Sequence, residues 1–141
     1  MNQENRIIKF RVWDIEHKEM YYSDNCDNNF VFLIDYNGIH VETQEYYGDE
    51  EEWKSYTPKQ IVMQFTGLED KNKTPIYEGD IVKGCYGIPP VCVKSFVEYD
   101  GSAFIIKTLD HTPKEVTLRT AIECLDIEVI GNIHENKELI K

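Results

Sequence analysis

Apolar and polar side chains alternate with a period of two along much of the chain, which is the pattern of half-buried β-strands. In residues 7–14, Ile8, Phe10 and Val12 alternate with charged side chains and predict the first strand. A polar, turn-like stretch follows, and the apolar residues 20–22 predict an antiparallel return strand. The chain therefore opens with a predicted β-hairpin.

Two longer hairpins are predicted from their turn residues. Residues 30–43 flank Asn37-Gly38, a pair that suits a type I′ turn because both central residues need a positive φ. Residues 91–107 flank Asp100-Gly101, a pair that is likewise favoured at a hairpin turn. Between these hairpins, Pro89-Pro90 predicts a loop, since consecutive prolines cannot belong to a central strand.

Two Thr-Pro-Lys sequences have the form of a helix start, with Thr as N-cap and Pro at the first helical position. The first leads into residues 61–66, which are short and β-prone, so we predict a strand there. The second, at residues 112–114, predicts a short helix through Ala121. Residues 127–133 predict the closing strand.

Residues 44–56 break the alternation and carry the densest charge of the chain. Such a run is more often a solvated loop, and the alternative is an acidic surface that contacts a basic partner. The candidate protein-contact residues are Asp49, Glu50, Glu51, Glu52 and Trp53.

Residues 67–83 predict a turn at 70–73, a return strand that begins at a proline, and a second bend into an apolar pair. Glu78 and Asp80 would share a face of a continuous strand and could then act as acid and base or bind a divalent cation. The intervening Gly79 favours a tight bend instead, with Asp80 accepting a hydrogen bond from the turn backbone. We therefore interpret this segment as structural.

These elements predict a mainly β protein, either all-β or α+β with one short helix. Residues 1–66 would form an N-terminal β-hairpin region, packed on a C-terminal small barrel formed by residues 67–141. The two regions form either separate lobes or a single compact domain, since 141 residues suffice for either arrangement.

The charge balance restricts the partners. The chain has 15 basic and 26 acidic residues, a formal net charge of −11, which repels phosphate backbones and anionic lipid. The N-terminus lacks the layout of a signal peptide, and the longest apolar run, residues 30–34, is far shorter than a membrane span. We expect a cytoplasmic protein that binds neither membranes nor, on grounds of charge, nucleic acid.

Residues with catalytic or metal-binding potential are scattered. No CxxC occurs, so we expect reduced, mostly buried thiols, and the four His are isolated from one another, which argues against a metal site. Cys124, Asn132 and His134 could be imagined as a Cys-His-Asn set, but the apolar neighbours of Cys124 suit a buried thiol better. No known catalytic, phosphate-binding or dinucleotide motif is present. We predict no catalytic residue, cofactor or metal.

Three segments carry a family resemblance: KFRVWD (9–14), MQFTGLEDKNKTPIYEGDIVK (63–83) and EVIGNIHENKEL (128–139). In this order and spacing they resemble the YopX family of small bacteriophage and prophage proteins. The resemblance implies a β-rich fold, a C-terminal region similar to an SH3-like barrel and a bacterial cytoplasmic setting, and it implies no activity. The signature residues that it marks as structural are Gly67, Tyr77, Gly79, Asp80, Gly131 and Asn132.

One residue departs from the family pattern. The family usually has Gly where this chain has Lys73, at the end of the sequence Asp-Lys-Asn-Lys. Either the turn type changes here, or Lys73 adopts the left-handed conformation at a cost of about 1 kcal/mol.

We expect the chain to be a non-enzymatic interaction module that binds a host or phage protein through edge strands or the acidic loop. An alternative is an acidic decoy that mimics DNA and occupies a host nucleic-acid-binding protein. A further alternative is a small barrel that itself binds nucleic acid, by analogy with other barrels of this type. Exposed strand edges also favour self-association as a homo-oligomer.

Overall fold

The structure is a computed structural model that describes residues 7–25, 30–36, 38–47, 52–56, 59–109 and 114–141, and only the backbone within residues 43–47 and 52–56. The strands of the described residues are β1 (Phe10–Asp14), β2 (Glu19–Tyr22), β3 (Phe30–Asp35), β4 (Gly38–Tyr47), β5 (Glu52–Tyr56), β6 (Gln60–Glu69), β7 (Pro75–Tyr77), β8 (Asp80–Tyr86), β9 (Val91–Tyr99), β10 (Phe104–Thr108), β11 (Glu115–Thr117) and β12 (Asp126–Asn132). Helical structure is limited to α1 (Leu118–Cys124) and a 3-10 helix (Lys137–Ile140) among these residues. The predicted mainly β fold with one short helix is confirmed.

The chain divides into two compact units. The N-terminal unit is Lys9–Gln64, and the C-terminal unit comprises Phe65–Lys141 together with Ile7 and Ile8. Strand β6 contributes to both units: its first half pairs with β1, and its second half pairs with β7.

In the N-terminal unit, β1 lies between β2 and β6 in antiparallel pairing, and β4 lies between β3 and β5. The core of this unit is formed by Val12, Phe30 and Val41. Strand β1 is more buried than the half-buried pattern predicted, because Arg11 and Trp13 are buried as well as Val12. Side chains on both faces of this strand are therefore buried.

The second hairpin forms as predicted, with a shift at its turn. The register pairs Asp35 with Gly38, so the connection consists of residues 36–37 rather than Asn37-Gly38. Gly38 has φ 110°, whereas Asn37 lies outside the described residues. The prediction that residues 44–56 break the strand pattern is wrong for 44–47 and 52–56, which pair as β4 and β5. This stretch is rich in Tyr and Trp, which favour strands.

The C-terminal unit is built on an antiparallel five-stranded sheet in the order β11-β10-β9-β8-β12, curled into a half-barrel. Helix α1 connects β11 to β12 and buries Leu118 and Ala121 against the sheet. The buried core of this unit is Ile76, Val82, Val97, Ile106, Leu118, Ala121 and Ile127.

The helix begins later than the second Thr-Pro-Lys sequence predicted. Residues Glu115–Thr117 pair with β10, so the chain stays extended until Thr117. The Thr117 hydroxyl then caps the helix by accepting the backbone N–H of Thr120 at 3.3 Å. Thr112 and Pro113 lie outside the described residues.

The prediction of reduced, mostly buried thiols is wrong for Cys85 and Cys92, and for Cys124 it is wrong about the burial. Cys85 and Cys92 stand directly opposite each other on β8 and β9 and form a disulfide, because the strand register brings their Cα atoms to 4.1 Å. Cys124 is free but exposed, and Cys26 lies outside the described residues. No helix in the described part of the chain is long and apolar enough to span a membrane.

Candidate functional site

The predicted turn at 70–73 is organised by the buried carboxylate of Asp70. It accepts backbone N–H groups from Asn72 at 2.7 Å and Thr74 at 2.9 Å within the turn, and from Val129 on β12 at 2.9 Å. Burial alone would raise the pKa of Asp70, but the hydrogen bonds from Val129, Thr74 and Asn72 hold the pKa below its ordinary value. This side chain thus joins the turn to a strand that is distant in sequence.

Lys73 occupies the left-handed conformation, with φ 67°. Its backbone N–H donates to the Asp70 carbonyl at 3.0 Å and closes the turn. Of the two alternatives, the second is observed: Lys73 adopts the left-handed conformation.

The bend around Gly79 separates the carboxylates of Glu78 and Asp80, which on a continuous strand could have formed a catalytic pair. Strand β7 ends at Tyr77 and β8 begins at Asp80, so Glu78 lies in the turn rather than on a shared strand face. Gly79 has φ 77°, and the carboxylate of Asp80, which is 2% exposed, accepts the backbone N–H of Tyr77 at 2.8 Å. Asp80 closes a structural bend, as the glycine between the two acids predicted. The buried ring of Tyr77 packs 5.5 Å from that of Phe65.

The signature residues of the last segment organise the turn that follows β12. The Asn132 side-chain oxygen accepts the backbone N–H groups of His134 at 3.0 Å and Glu135 at 2.9 Å. The Asn136 side chain in turn accepts the Asn132 N–H at 3.0 Å, directly against Gly131. Because the Asn132 carboxamide is used in this turn, the imagined Cys-His-Asn set gains no support.

The signature residues therefore lie at turns, bends and core positions of the C-terminal unit. Gly67 has φ 82° at the irregularity in β6 between Phe65 and Glu69. No group of three or more His, Cys, Asp or Glu suitable for a metal ion occurs in the part of the chain that the structure describes.

The acidic contact surface predicted at 49–53 falls largely beyond the described chain. Asp49, Glu50 and Glu51 lie outside the described residues, while Glu52 and Trp53 belong to β5, whose side chains are not described.

Sequence reasoning missed a groove of about 680 Å³ on the C-terminal unit, which we call the β11 groove. It is lined by residues 66–68, Tyr99, residues 102–104 and residues 117–119. Its volume lies within the range of about 300–1,000 Å³ that is typical of ligand sites. The lining comes from separate segments that carry no common motif, so no signal in the sequence marks it.

One wall of the groove is aromatic and held in place. The rings of Tyr99 and Phe104 lie 5.3 Å apart, and the Tyr99 hydroxyl donates to the Gly101 carbonyl at 3.0 Å. The neighbouring Asp100 carboxylate accepts the backbone N–H groups of Ser102 at 2.8 Å and Ala103 at 2.9 Å. The backbone N–H of Ala103 and then that of Ser102 hold the pKa of Asp100 below its ordinary value.

The groove adjoins a sheet edge. Strand β11 is the terminal strand of the five-stranded sheet, its residues are exposed, and Thr117 also lines the groove. Thr108 donates its backbone N–H to Lys114, and hydrogen-bonded pairs alternate along an antiparallel ladder. By this alternation, the backbone N–H groups of Glu115 and Thr117 point away from β10.

Comparison with known proteins identifies the family. The chain is similar to protein EF1440 from Enterococcus faecalis, whose crystal structure shares 26% identity and a TM-score of 0.62 over 96% of this chain and 99% of that one. It is also similar in fold to protein yopX from Bacillus subtilis, at 22% identity and a TM-score of 0.65 over 94% of this chain and 98% of that one. Among curated proteins, none matches. The family model described as YopX protein matches residues 9–141, and the chain therefore belongs to the YopX family.

Proposed function

We propose that this protein is a non-enzymatic protein-interaction module that binds an extended segment of a partner protein at the β11 groove. The observation that carries the proposal is the position of an open groove, with an aromatic wall, directly beside an exposed terminal strand. An extended segment can add to a sheet edge through main-chain hydrogen bonds while its alternate side chains enter an adjacent groove. Both parts of such a site are present here.

The strand order supports assigning the C-terminal unit to the SH3-like barrels. Strands β8 to β11 follow one another as neighbours, α1 comes next, and β12 returns to pair with β8. SH3 domains bind extended segments in aromatic-lined grooves, which fits the proposed class of partner. The family setting suggests a host or phage protein in the bacterial cytoplasm as the source of that segment.

The distribution of carboxylates lends less support to the DNA-mimic alternative. Asp14, Asp70 and Asp100 accept hydrogen bonds from backbone groups of their own turns. Among the described residues, Glu98 and Glu115 form ion pairs with Lys107, and Glu128 forms one with Lys71. A decoy needs an array of carboxylates that are available to a basic partner. The net charge of −11 likewise disfavours the nucleic-acid-binding alternative.

The test is a selection of random heptapeptides displayed against the immobilised full chain. We expect the wild-type protein to enrich peptides, and Ala103→Trp to lose that binding because the indole fills the groove. Glu115→Pro should also weaken binding, since it removes an outward N–H that a pairing strand would use.

Two control variants separate these effects from incidental ones. Val91→Trp places the same indole at an exposed position outside the groove, and Glu115→Gln removes the same charge but keeps the N–H. Both should retain the selected peptides, and thermal unfolding should show that every variant is folded. If no peptide is enriched, or if Ala103→Trp binds the selected peptides as well as the wild type does, the proposal is wrong.

A further inference from the structure

We infer that the β11 groove selects partner segments that carry a carboxylate two residues away from an apolar side chain. The inference rests on the proposed function and adds the chemistry by which the partner is recognised.

The charge of the groove lining is opposite in sign to the net charge of the molecule. The whole chain has 26 acidic and 15 basic residues, yet the described residues that line the groove include no Asp or Glu. The charged residue among them is Arg119, in the first turn of α1. A negatively charged group that enters the groove therefore meets a cation and no lining carboxylate.

Arg119 is also available to a ligand. Its side chain is exposed, and it forms no ion pair with the part of the chain that the structure describes. Lys71 and Lys107 of the same unit, by contrast, are engaged: Lys71 lies 2.9 Å from Glu128, and Lys107 lies 3.0 Å from Glu115. A guanidinium binds a carboxylate through two parallel hydrogen bonds, and one arginine matches the single charge of one carboxylate.

The apolar half of the recognition comes from the aromatic wall. Tyr99 is 49% exposed, and its ring forms a pair with Phe104 at the groove. Side chains at positions i and i+2 of an extended segment point to the same side, about 7 Å apart. A segment paired with β11 can thus direct one side chain to the aromatic pair and the next on that side to Arg119.

The test compares the heptapeptide pools selected by the wild type, Arg119→Gln, Arg119→Glu and the control Lys137→Gln. Lys137 is exposed and does not line the groove, so its substitution makes the same charge change elsewhere. We expect the wild type and Lys137→Gln to enrich peptides with Asp or Glu two positions from an apolar residue. Arg119→Gln should lose the preference, and Arg119→Glu should select Lys or Arg there.

Binding of a synthetic peptide from the wild-type pool then gives the magnitude. Fluorescence polarisation should show that replacing its carboxylate by the amide weakens binding to the wild type about tenfold or more, and leaves binding to Arg119→Gln unchanged. The net charge of −11 repels acidic peptides at long range, so an acidic preference requires a local cation.

The outcomes distinguish this inference from the function on which it rests. A pool that depends on the open groove but shows no acidic preference, or keeps that preference in Arg119→Gln, would overturn the inference and leave the interaction module standing. A pool that Ala103→Trp binds equally well would overturn both.

Discussion

Short polar side chains organise several turns of this molecule at the level of single residues. Asp14, Asp70, Asp100 and Asn132 each accept backbone N–H groups from residues two to four positions further along the chain. This is the turn chemistry for which Asp and Asn are favoured, because their side-chain oxygens can replace a backbone acceptor. Part of the acidic surplus of the chain thus serves its fold.

Asp70 gives a prediction with a definite pH dependence. Its folded-state pKa is lowered, so its charged form stabilises the protein at pH values above the unfolded pKa of about 3.9, and this stability is lost as the pH falls through the lower folded pKa. Asp70→Asn should lower the free energy of unfolding at pH 7 by about 1–3 kcal/mol, since a part-buried backbone N–H loses its acceptor. Urea unfolding measures the difference.

Measuring the unfolding free energies of wild type and Asp70→Asn at low pH checks the role assigned to the Asp70 charge. As the pH falls below the unfolded pKa of about 3.9 and towards the lowered folded pKa of Asp70, the difference in the free energy of unfolding between wild type and Asp70→Asn should narrow. Asp100→Asn is the matched control, because Asp100 makes the same kind of turn bonds at an exposed site and should cost less. A gap that stays constant from pH 7 to pH 3 would contradict the assigned role.

Lys73 gives a prediction of opposite sign. Because its φ is 67°, Lys73→Gly should raise the free energy of unfolding by up to about 1 kcal/mol, the left-handed strain outweighing the greater freedom of glycine in the unfolded chain. Lys94→Gly, on the exposed face of β9, should instead lower it by about 0.5–1 kcal/mol. Equal losses in both variants, measured by urea unfolding, would refute the strain argument.

At the level of elements, hairpins were predictable and their ends were not. The β3–β4 hairpin occurs where its turn residues indicated, but its pairing closes at Asp35 and Gly38. Helix α1 exists, but starts at Leu118 because the preceding residues pair with β10. Local propensity locates an element, whereas the neighbouring strand decides where it begins.

The turn after β12 gives a prediction for an element. A Cβ added at Gly131 would lie 2.5 Å from the Asn136 Oδ1 and 3.0 Å from its Cβ, so Gly131→Ala must displace the side chain that caps Asn132. We expect a loss of about 1–3 kcal/mol in the free energy of unfolding. Asn136→Ala removes two of the three clashing atoms, so in a double-mutant cycle Gly131→Ala should cost less in that background. If Gly131→Ala costs as much in the Asn136→Ala background as in the wild type, the clash is ruled out.

At the level of the whole molecule, each unit has its own buried core, which predicts separable responses. Leu118→Ala should cost about 2–5 kcal/mol and chiefly raise amide exchange in the C-terminal unit. Val41→Ala should cost about 2 kcal/mol and chiefly raise exchange in the N-terminal unit. Hydrogen exchange followed by mass spectrometry measures both. Equal increases over the whole chain from either variant would show a single cooperative unit.

The sequence alone determined the features whose causes lie within a few residues. Alternation of side chains predicted the strands, turn residues placed the hairpins, and Gly79 next to Asp80 predicted a bend rather than a catalytic pair. The family segments could also be recognised from the sequence, because they encode these turns. Such features depend on backbone preferences that neighbouring residues set locally.

The tertiary structure decided what depends on distant segments meeting. It paired β12 with β8, brought Val129 to the Asp70 carboxylate, and set Cys85 opposite Cys92 against the prediction of reduced thiols. It also assembled the β11 groove from segments without a common motif and left Arg119 there without an acidic neighbour in the lining. Pairing partners and groove walls follow from how the whole chain buries its apolar surface, and no local pattern records that outcome.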